Sequence, residues 1–400
     1  MVVKRRLLLA VASGLTLVMA AATPMLGASS ASKPDPLRSE NLIRVQDIAA
    51  TVKTAKHGPV VAVGWREASS PGELYLTFSV DGGKSFRKAR GGIRQSRIAG
   101  NGGLGMSLDV CDGRIWVGTA LNAPGDSSDD TDVLLTSRTV VGGVAAQAFL
   151  TDSSDAHRVR DVSLACVGKD LLAIAWLEKG VRKTRAKLML RSLEQPGATA
   201  SFRQVFGLGE ARFKDGISVA ASTDTVHVAW ATGGKRDVAY KRYVVVPGAV
   251  RTITKHPTIT FAYGDALFPE VATRGKQVVI AYTDRGKIKT RLSGDAGATF
   301  AKPSIIMANG KVSQPSVAHT VALSGPRIVV EATVNKRGAK TPSRIETTNS
   351  GRSWRATPMG HQGARVGALQ KLNAKTSRLK EAWQNNTSGV DTLRAQYETR

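Results

Sequence analysis

The stretch Ser293-Gly294-Asp295-Ala296-Gly297-Ala298-Thr299-Phe300 decides the fold, because versions of it occur three times in the chain. Ser79-Val80-Asp81-Gly82-Gly83-Lys84-Ser85-Phe86 has the same layout, and Thr347-Thr348-Asn349-Ser350-Gly351-Arg352-Ser353-Trp354 has Thr for Ser and Asn for Asp. We call these segments the repeat turns. In each, Asp or Asn bonds to its own backbone, glycine supplies a positive φ, and the closing aromatic packs on a sheet. Each therefore predicts a β-hairpin.

A second, longer repeat is a short Ser-Val-Ala strand, a turn, and an apolar strand that ends in Ala-Trp or a variant. These second strands end at intervals of roughly 50 to 60 residues, at Trp65, Val117, Trp176, Trp230, Tyr282, Ala332 and Trp383. Such a spacing is typical of four-stranded units and predicts seven of them. The sixth and seventh are the most degenerate, so six units is the alternative.

The repeat turns resemble the Asp-box, or BNR repeat, of the sialidase-like β-propellers. This resemblance implies an all-β fold, a single β-propeller of four-stranded antiparallel blades over residues 41–400. The seventh unit ends one strand short, and Leu42-Ile43-Arg44-Val45 is free to pair there. We therefore expect an N-terminal strand to close the ring and remove two sheet edges.

The N-terminus has the layout of a cleavable secretory signal. Lys4-Arg5-Arg6 precedes an apolar run from Leu7 to Ala22, and small residues follow. We predict a signal over residues 1–31, a linker over 32–40 and a secreted, monomeric product. An uncleaved membrane anchor is the alternative, and no later stretch is apolar enough to span a bilayer.

Strand alternation assigns functions to the two ends of the blades. The first-to-second and third-to-fourth turns share one end, and the third-to-fourth turns include the repeat turns. The second-to-third connections and the connections between blades share the other end. Binding chemistry is expected at this second end, around the channel mouth.

The second-to-third connections of units three to six, which we call the basic rim, are rich in cations, as are the strands that follow them. The chain has a formal net charge of +26. The rim and its strands contain Lys179, Arg182, Lys183, Arg185, Lys187, Lys235, Arg236, Lys241, Arg242, Arg285, Lys287, Lys289, Arg291, Lys336, Arg337, Lys340 and Arg344. Solvated charges that prevent edge pairing are the alternative interpretation.

The expected partner of the rim is an anionic polysaccharide, a sialylated glycan or a cell-wall polymer. Candidate ligand-binding residues are Arg66, Arg182, Arg236, Arg285 and Arg337. Nucleic acid is disfavoured, because no aromatic stacking platform accompanies the charge. A protein-interaction scaffold without a small ligand is a further alternative.

The resemblance also implies an enzymatic alternative, an exo-acting glycoside hydrolase of sialidase type. Arg44 stands where the family has a carboxylate-binding arginine, Glu67 or Glu73 would supply the acid, and Tyr397 is the candidate nucleophile. Glu270 has an independent argument. It occupies a first-strand position that is Ser107, Ser163, Ser218 and Ser316 in other units, and Asp47 in the first.

Other candidate sites have weaker support in the sequence. Asp126, Asp129, Asp130 and Asp132 form an acidic loop that could bind Ca²⁺ or simply be solvated. The histidines occur singly and offer neither a zinc pair nor a Ser-His-Asp arrangement. Cys111 and Cys166 fall at matching places in neighbouring units, and could be bridged or be two buried thiols.

Overall fold

In the part of the chain that this computed structural model describes, the strands form seven antiparallel sheets, each built from consecutive stretches of chain. All described residues belong to the unit Pro34–Arg400. The structure describes residues 45–55, 58–67, 74–80, 106–121, 131–140, 146–151, 158–180, 182–194, 196, 198–212, 216–234, 237–246, 252–261, 265–307, 311–312, 316–322, 325–336, 339–358, 365–366, 379–387 and 390–397. Within these ranges the secondary structure is β throughout, which confirms the all-β prediction.

The first four sheets account for sixteen strands. The first contains β1 (Val45–Ala55), β2 (Gly58–Glu67) and β3 (Leu74–Ser79), and the second contains β4 (Met106–Cys111), β5 (Arg114–Leu121), β6 (Asp132–Thr139) and β7 (Ala146–Phe149). The third contains β8 (Arg158–Val167), β9 (Leu171–Lys179), β10 (Thr184–Ser192) and β11 (Arg203–Glu210). The fourth contains β12 (Ile217–Ala221), β13 (Thr225–Ala231), β14 (Val238–Val246), β15 (Thr252–Lys255) and β16 (Ile259–Phe261).

The last three sheets follow the same order. The fifth contains β17 (Ala266–Arg274), β18 (Gln277–Asp284), β19 (Lys287–Ser293) and β20 (Ser304–Met307). The sixth contains β21 (Lys311–Val312), β22 (Ser316–Ala322), β23 (Gly325–Lys336), β24 (Ala339–Thr347) and β25 (Arg355–Pro358), and the seventh contains β26 (Arg365–Val366), β27 (Leu379–Thr387) and β28 (Val390–Tyr397). The seven predicted strand ends, from Trp65 to Trp383, lie in β2, β5, β9, β13, β18, β23 and β27.

Successive sheets pack face to face through apolar side chains. One buried cluster joins the second sheet to the third through Trp116, Val133 and Trp176, and another joins the third to the fourth through Leu188 and Trp230. Trp176 and Trp230 are each 2% exposed. Burial of a large apolar side chain stabilises a fold by about 2 to 3 kcal/mol, so the repeated aromatics act as packing residues between sheets.

Serine side chains link the first strands of successive sheets. The Leu164 amide donates to Ser107 Oγ (3.0 Å), the Val219 amide to Ser163 Oγ (3.0 Å), and the Val271 amide to Ser218 Oγ (3.1 Å). A first strand pairs with only one neighbour in its own sheet, which leaves alternate amides without a ladder partner. The serine of the preceding sheet supplies that partner.

The disulfide Cys111–Cys166 joins the second sheet to the third beside these bonds, with Cα atoms 5.7 Å apart. The Cys166 amide also donates to Asp109 Oδ2 at 2.9 Å. Of the two alternatives from sequence, the bridged one is therefore the one observed. The loop-entropy model gives a bridge across 55 residues a stabilisation of about 4 kcal/mol.

The two described repeat turns have matching hydrogen bonds. The Thr299 amide donates to Asp295 Oδ1 (2.9 Å) and the Gly297 amide to Ser293 Oγ (2.8 Å). In the later turn the Ser353 amide donates to Asn349 Oδ1 (3.0 Å) and the Gly351 amide to Thr347 Oγ1 (3.1 Å). Hydrogen bonds from the hydroxyl groups of Ser293 and then Thr299 hold the pKa of Asp295 well below its usual range.

A related turn in the third sheet was missed by the sequence interpretation. Ser192 Oγ accepts from the Phe202 amide (2.9 Å), and Glu194 Oε1 accepts from the Ser201 amide (3.0 Å). Glu194 thus takes the place that Asp295 has in the fifth sheet, across a longer loop. Hydrogen bonds from Ser192 and Ser201 lower the pKa of Glu194 to about 2, against the opposing effect of burial.

The repeat turns lie at the end opposite the basic rim, as strand alternation predicts. In the fifth sheet the Ala296 amide donates to the carbonyl of Lys276 (2.7 Å), which joins the repeat turn to the first-to-second turn. Asp284 and Lys287 face each other across the second-to-third turn, at the far end of the same strands. Of the earliest repeat turn, residues 81–86 lie outside the described ranges.

Predictions for the N-terminus lie mostly outside the described residues. The signal, the linker and residues 42–44 of the closing strand belong to this group. Val45 pairs with Glu67 in the first sheet. β1 also approaches β27 and β28 of the seventh sheet.

Gly297 connects a repeat turn to the preceding sheet, because a Cβ there would lie 1.9 Å from Tyr240 Oη and its φ is +78°. We expect Gly297→Ala to lower the free energy of unfolding by about 2 to 4 kcal/mol, from backbone strain and overpacking together. Gly275→Ala is the matched control, with a φ of +55° and open space around the added atom. It should cost about 1 kcal/mol in denaturant unfolding. Equal losses in the two variants would contradict this packing.

Candidate functional site

At the basic rim two acids are buried, whereas several cations and one acid beside them, Glu210, are exposed. Asp237, directly before β14, and Asp284, at the end of β18, are 4% and 6% exposed. In contrast, four cations of the same end are exposed: Arg182, Arg185, Arg285 and Lys287. Water therefore meets mainly positive charge at these turns.

Ion pairs compensate part of this charge. Lys289 binds Asp284 Oδ2, and Lys183 binds Glu210 Oε1. The hydrogen bond from Lys183, and then its charge, lowers the pKa of Glu210. Since both partners of the Lys183 pair are more than half exposed, this contact adds little stability.

Two arginines of the third strands do not belong to the rim. Arg242 donates to the carbonyl of Ala296 (3.2 Å) in a repeat turn, and Arg291 Nη1 donates to the carbonyl of Ala301 (3.2 Å), directly after that turn. The positive charge of these strands thus extends toward the repeat-turn end. The expectation that the strands add their charge to one face is wrong for these two residues.

The other predicted ligand-binding arginines are less completely described. Arg66 lies in β2, opposite Asp47 and Leu74, and its side chain lies outside the described part of the structure. Arg236 and Arg337 fall outside the described residues. Their roles stay predictions.

The candidate catalytic residues are spread over separate sheets. Glu67 ends β2 and Tyr397 ends β28, while Arg44 and Glu73 lie outside the described residues. Glu270 is half-buried in β17 and faces Ala281 in the register, as Ser218 faces Ala229. Glu270 therefore occupies the position at which serines bind the next first strand.

Of the predicted calcium ligands, only Asp132 is described. It is buried, and Thr151 Oγ1 donates to its Oδ1 at 2.6 Å. Asp126, Asp129 and Asp130 lie outside the described residues. A calcium site stays a prediction.

A cleft of about 240 Å³ between the second and third sheets brings together residues that the sequence interpretation did not combine. Its lining includes Asp132, Trp176, Glu178, Lys187 and Arg203. Trp176 and Glu178 share one face of β9 because they are two residues apart. The role of Arg203 could not be predicted from the sequence, because nothing in the sequence shows that β11 approaches the second sheet.

At the repeat-turn end, opposite the rim, His227 and Tyr240 form a buried pair, with His227 Nδ1 and Tyr240 Oη 2.7 Å apart. Burial lowers the pKa of His227 to about 4, the positive charge of Arg242 acts in the same direction, and Asp224 opposes them. Burial also raises the pKa of Tyr240. His227 Nε2 is buried without a hydrogen-bond partner in the described part of the chain, so protonation there would be unfavourable.

The sequence matches no protein-family model and no curated protein. Among solved structures it is similar to the Aleuria aurantia lectin, a six-bladed β-propeller that recognises fucose, at 10% identity over 78% of this chain and 94% of the lectin (TM-score 0.46). It is also similar to a Penicillium chrysogenum α-L-arabinanase, at 10% identity over 89% and 96% of the two chains (TM-score 0.48). A phage phi92 endosialidase gives 8% identity over 90% and 68% (TM-score 0.45).

These likenesses concern the β-propeller fold, and no site residue is inferred from them. A search of the described residues for an apolar helix long enough to cross a membrane found none.

The His227 pair predicts a defined pH dependence of stability. The pKa of His227 is about 4 in the folded chain and about 6.5 when unfolded, so the unfolded state binds more protons between these values. Stability should therefore fall by up to about 3 kcal/mol as the pH drops from 6.5 to 4. The measurement is the unfolding free energy across this window in the wild type and in His227→Gln. The variant should show a shallower slope, and parallel slopes would refute the assignment.

Proposed function

We propose that this protein is an exported, sialidase-like β-propeller of seven blades that binds an anionic polysaccharide, a sialylated glycan or a cell-wall polymer at its basic rim. The observation that carries the proposal is the separation of charge by burial. Rim acids such as Asp284 are 6% exposed, whereas the Arg285 side chain beside it is 72% exposed. A polyanion approaching this end meets exposed cations before it reaches Asp237 or Asp284, and the exposed Glu210 is already paired with Lys183.

Seven blades in a closed ring fit the arrangement of the sheets. First strands contact each other in the order β1, β4, β8, β12, β17 and β22, and the seventh sheet lies near both β23 and β1. Closure by the strand 42–45 stays a prediction. The repeat turns support the BNR resemblance through their shared hydrogen bonds.

Residues at the repeat-turn end have structural roles. The rim is therefore the better candidate for binding. There the turns pack on the preceding sheet, through Gly297 on Tyr240 and Gly351 on Leu292. The rim connections, by contrast, differ in length and sequence from sheet to sheet. Such variation is common in connections that carry binding residues.

The experiment compares two triple variants with the same loss of charge. Arg182→Ala, Arg285→Ala and Lys287→Ala together remove three exposed rim cations. Lys276→Ala, Lys302→Ala and Arg352→Ala together remove three exposed cations near the repeat turns. Three exposed ion pairs at about 0.5 kcal/mol each predict about tenfold weaker binding to polygalacturonate or polysialic acid for the rim variant. The control variant should bind like the wild type, and salt should weaken binding in every case.

Equal weakening in both triple variants would mean nonspecific charge and contradict the proposal. Turnover of a fluorogenic sialoside that disappears in Arg44→Ala would replace it with the exo-glycosidase. If neither polyanion is retained and no sialoside is cleaved, the protein-interaction scaffold becomes the better hypothesis.

A further inference from the structure

The cleft between the second and third sheets differs from the rim in its chemistry. Its lining combines carboxylates and cations with a tryptophan and several apolar side chains. The lining residues are Asp132, Leu150, Thr151, Val159, Trp176, Glu178, Lys187, Met189, Arg203 and Val205. Among these described residues, two acids and two bases balance in formal charge.

Polar side chains of the cleft contact one another within the protein. Glu178 Oε2 accepts from Trp176 Nε1 (3.2 Å), and Glu178 Oε1 lies 3.7 Å from Lys187 Nζ. These three side chains come from the facing strands β9 and β10, where Trp176 and Lys187 are paired in the register. The site is therefore oriented before any ligand enters, which lowers the entropy cost of binding.

The two sheets also contact each other across the cleft. Arg203, at the start of β11, donates through Nη2 to the carbonyl of Leu150 (2.8 Å), beyond the end of β7. On the second sheet, Thr151 Oγ1 accepts from the Val133 amide (3.0 Å) while it donates to Asp132. Polar groups from both sheets thus border the same cleft.

An apolar surface completes the cleft. Met189 and Val205 are paired neighbours on β10 and β11, and Val159 lies on β8. Val205 is 46% exposed, which makes it one of three large hydrophobic side chains exposed in the described ranges. An exposed aliphatic group beside fixed polar groups suits a ligand with one apolar face and a polar edge.

The partners of the charged groups decide the ligand class. Glu178 and Lys187 lie 3.7 Å apart and offset each other in charge, and Arg203 donates to the Leu150 carbonyl, so the described lining offers both acceptors and donors with no excess of either charge. Hydroxyl groups both donate and accept, and can add to carboxylates and cations without displacing them. The volume of about 240 Å³ has room for one sugar ring.

We propose that this cleft binds one neutral pyranose unit, separately from polyanion binding at the rim. Glu178 accepts from sugar hydroxyls, Lys187 and Arg203 donate to them, and the apolar face of the ring lies on Met189 and Val205. The inference does not depend on the proposed rim function, because none of the three residues altered in the rim variant lines the cleft.

The test is titration of the purified full chain with methyl glycosides of neutral hexoses, followed by calorimetry or ligand-observed NMR. The corresponding uronic acids and free amino acids serve as charged and zwitterionic comparisons. At least one neutral glycoside should bind saturably, with an affinity that salt changes little. The rim triple variant should retain this binding, which separates the two proposals.

Two pairs of variants make the test specific. Glu178→Gln should weaken sugar binding about tenfold, since loss of a charged acceptor costs about 1.5 kcal/mol. Glu210→Gln is its control. Glu210 pairs with Lys183, which directly precedes β10, and does not line the cleft. Val205→Trp should block the cleft, whereas Val246→Trp, at a similarly exposed valine of the fourth sheet, should not.

Saturable binding that is lost in Glu178→Gln and Val205→Trp, and kept in both controls, would support the site. The proposal is overturned if no neutral glycoside binds, if Val205→Trp binds as well as the wild type, or if only uronic acids or amino acids bind.

Discussion

The hydrogen bond from a first-strand amide to the serine of the preceding sheet is the constraint on which the remaining structure depends. A first strand has a free edge, and a buried amide without a partner costs about 1 to 3 kcal/mol. Ser107, Ser163 and Ser218 remove that cost in three successive sheets, each at the same register position. The bond fixes how far one sheet is shifted relative to the next, and so aligns equivalent turns at the same end.

This alignment places turns with structural roles at one end of the sheets and connections that vary between sheets at the other. At one end, the repeat turns bind their own backbone and pack on the preceding sheet, and the buried His227 and Tyr240 pair lies beneath one of them. At the other end, the connections carry exposed cations over buried acids. The inter-sheet cleft has a third kind of surface, in which charges are already paired and hydroxyls are the better partners.

Local features could be predicted from sequence, because the interacting residues are neighbours in the chain. The turn formed by Ser293 and Asp295 is of this kind, as are the second strands that contain Trp176 and Trp230, although β9 and β13 continue past these residues to Lys179 and Ala231. The Glu194 turn escaped because its loop is longer and Glu stands for Asp. Features between sheets could not be predicted: the bridge between Cys111 and Cys166, the direction of Arg242, and the approach of Arg203 to Leu150 depend on how two sheets meet.

The most direct measurement is native-state hydrogen exchange at the first-strand amides of Leu164, Val219 and Val271. In the wild type all three should exchange slowly. Removal of one acceptor in Ser163→Ala should speed exchange at Val219 about tenfold, from the loss of about 1 to 1.5 kcal/mol, and leave Leu164 unchanged. An amide of Val219 that already exchanges as fast as an exposed loop amide, or that ignores Ser163→Ala, would contradict the account.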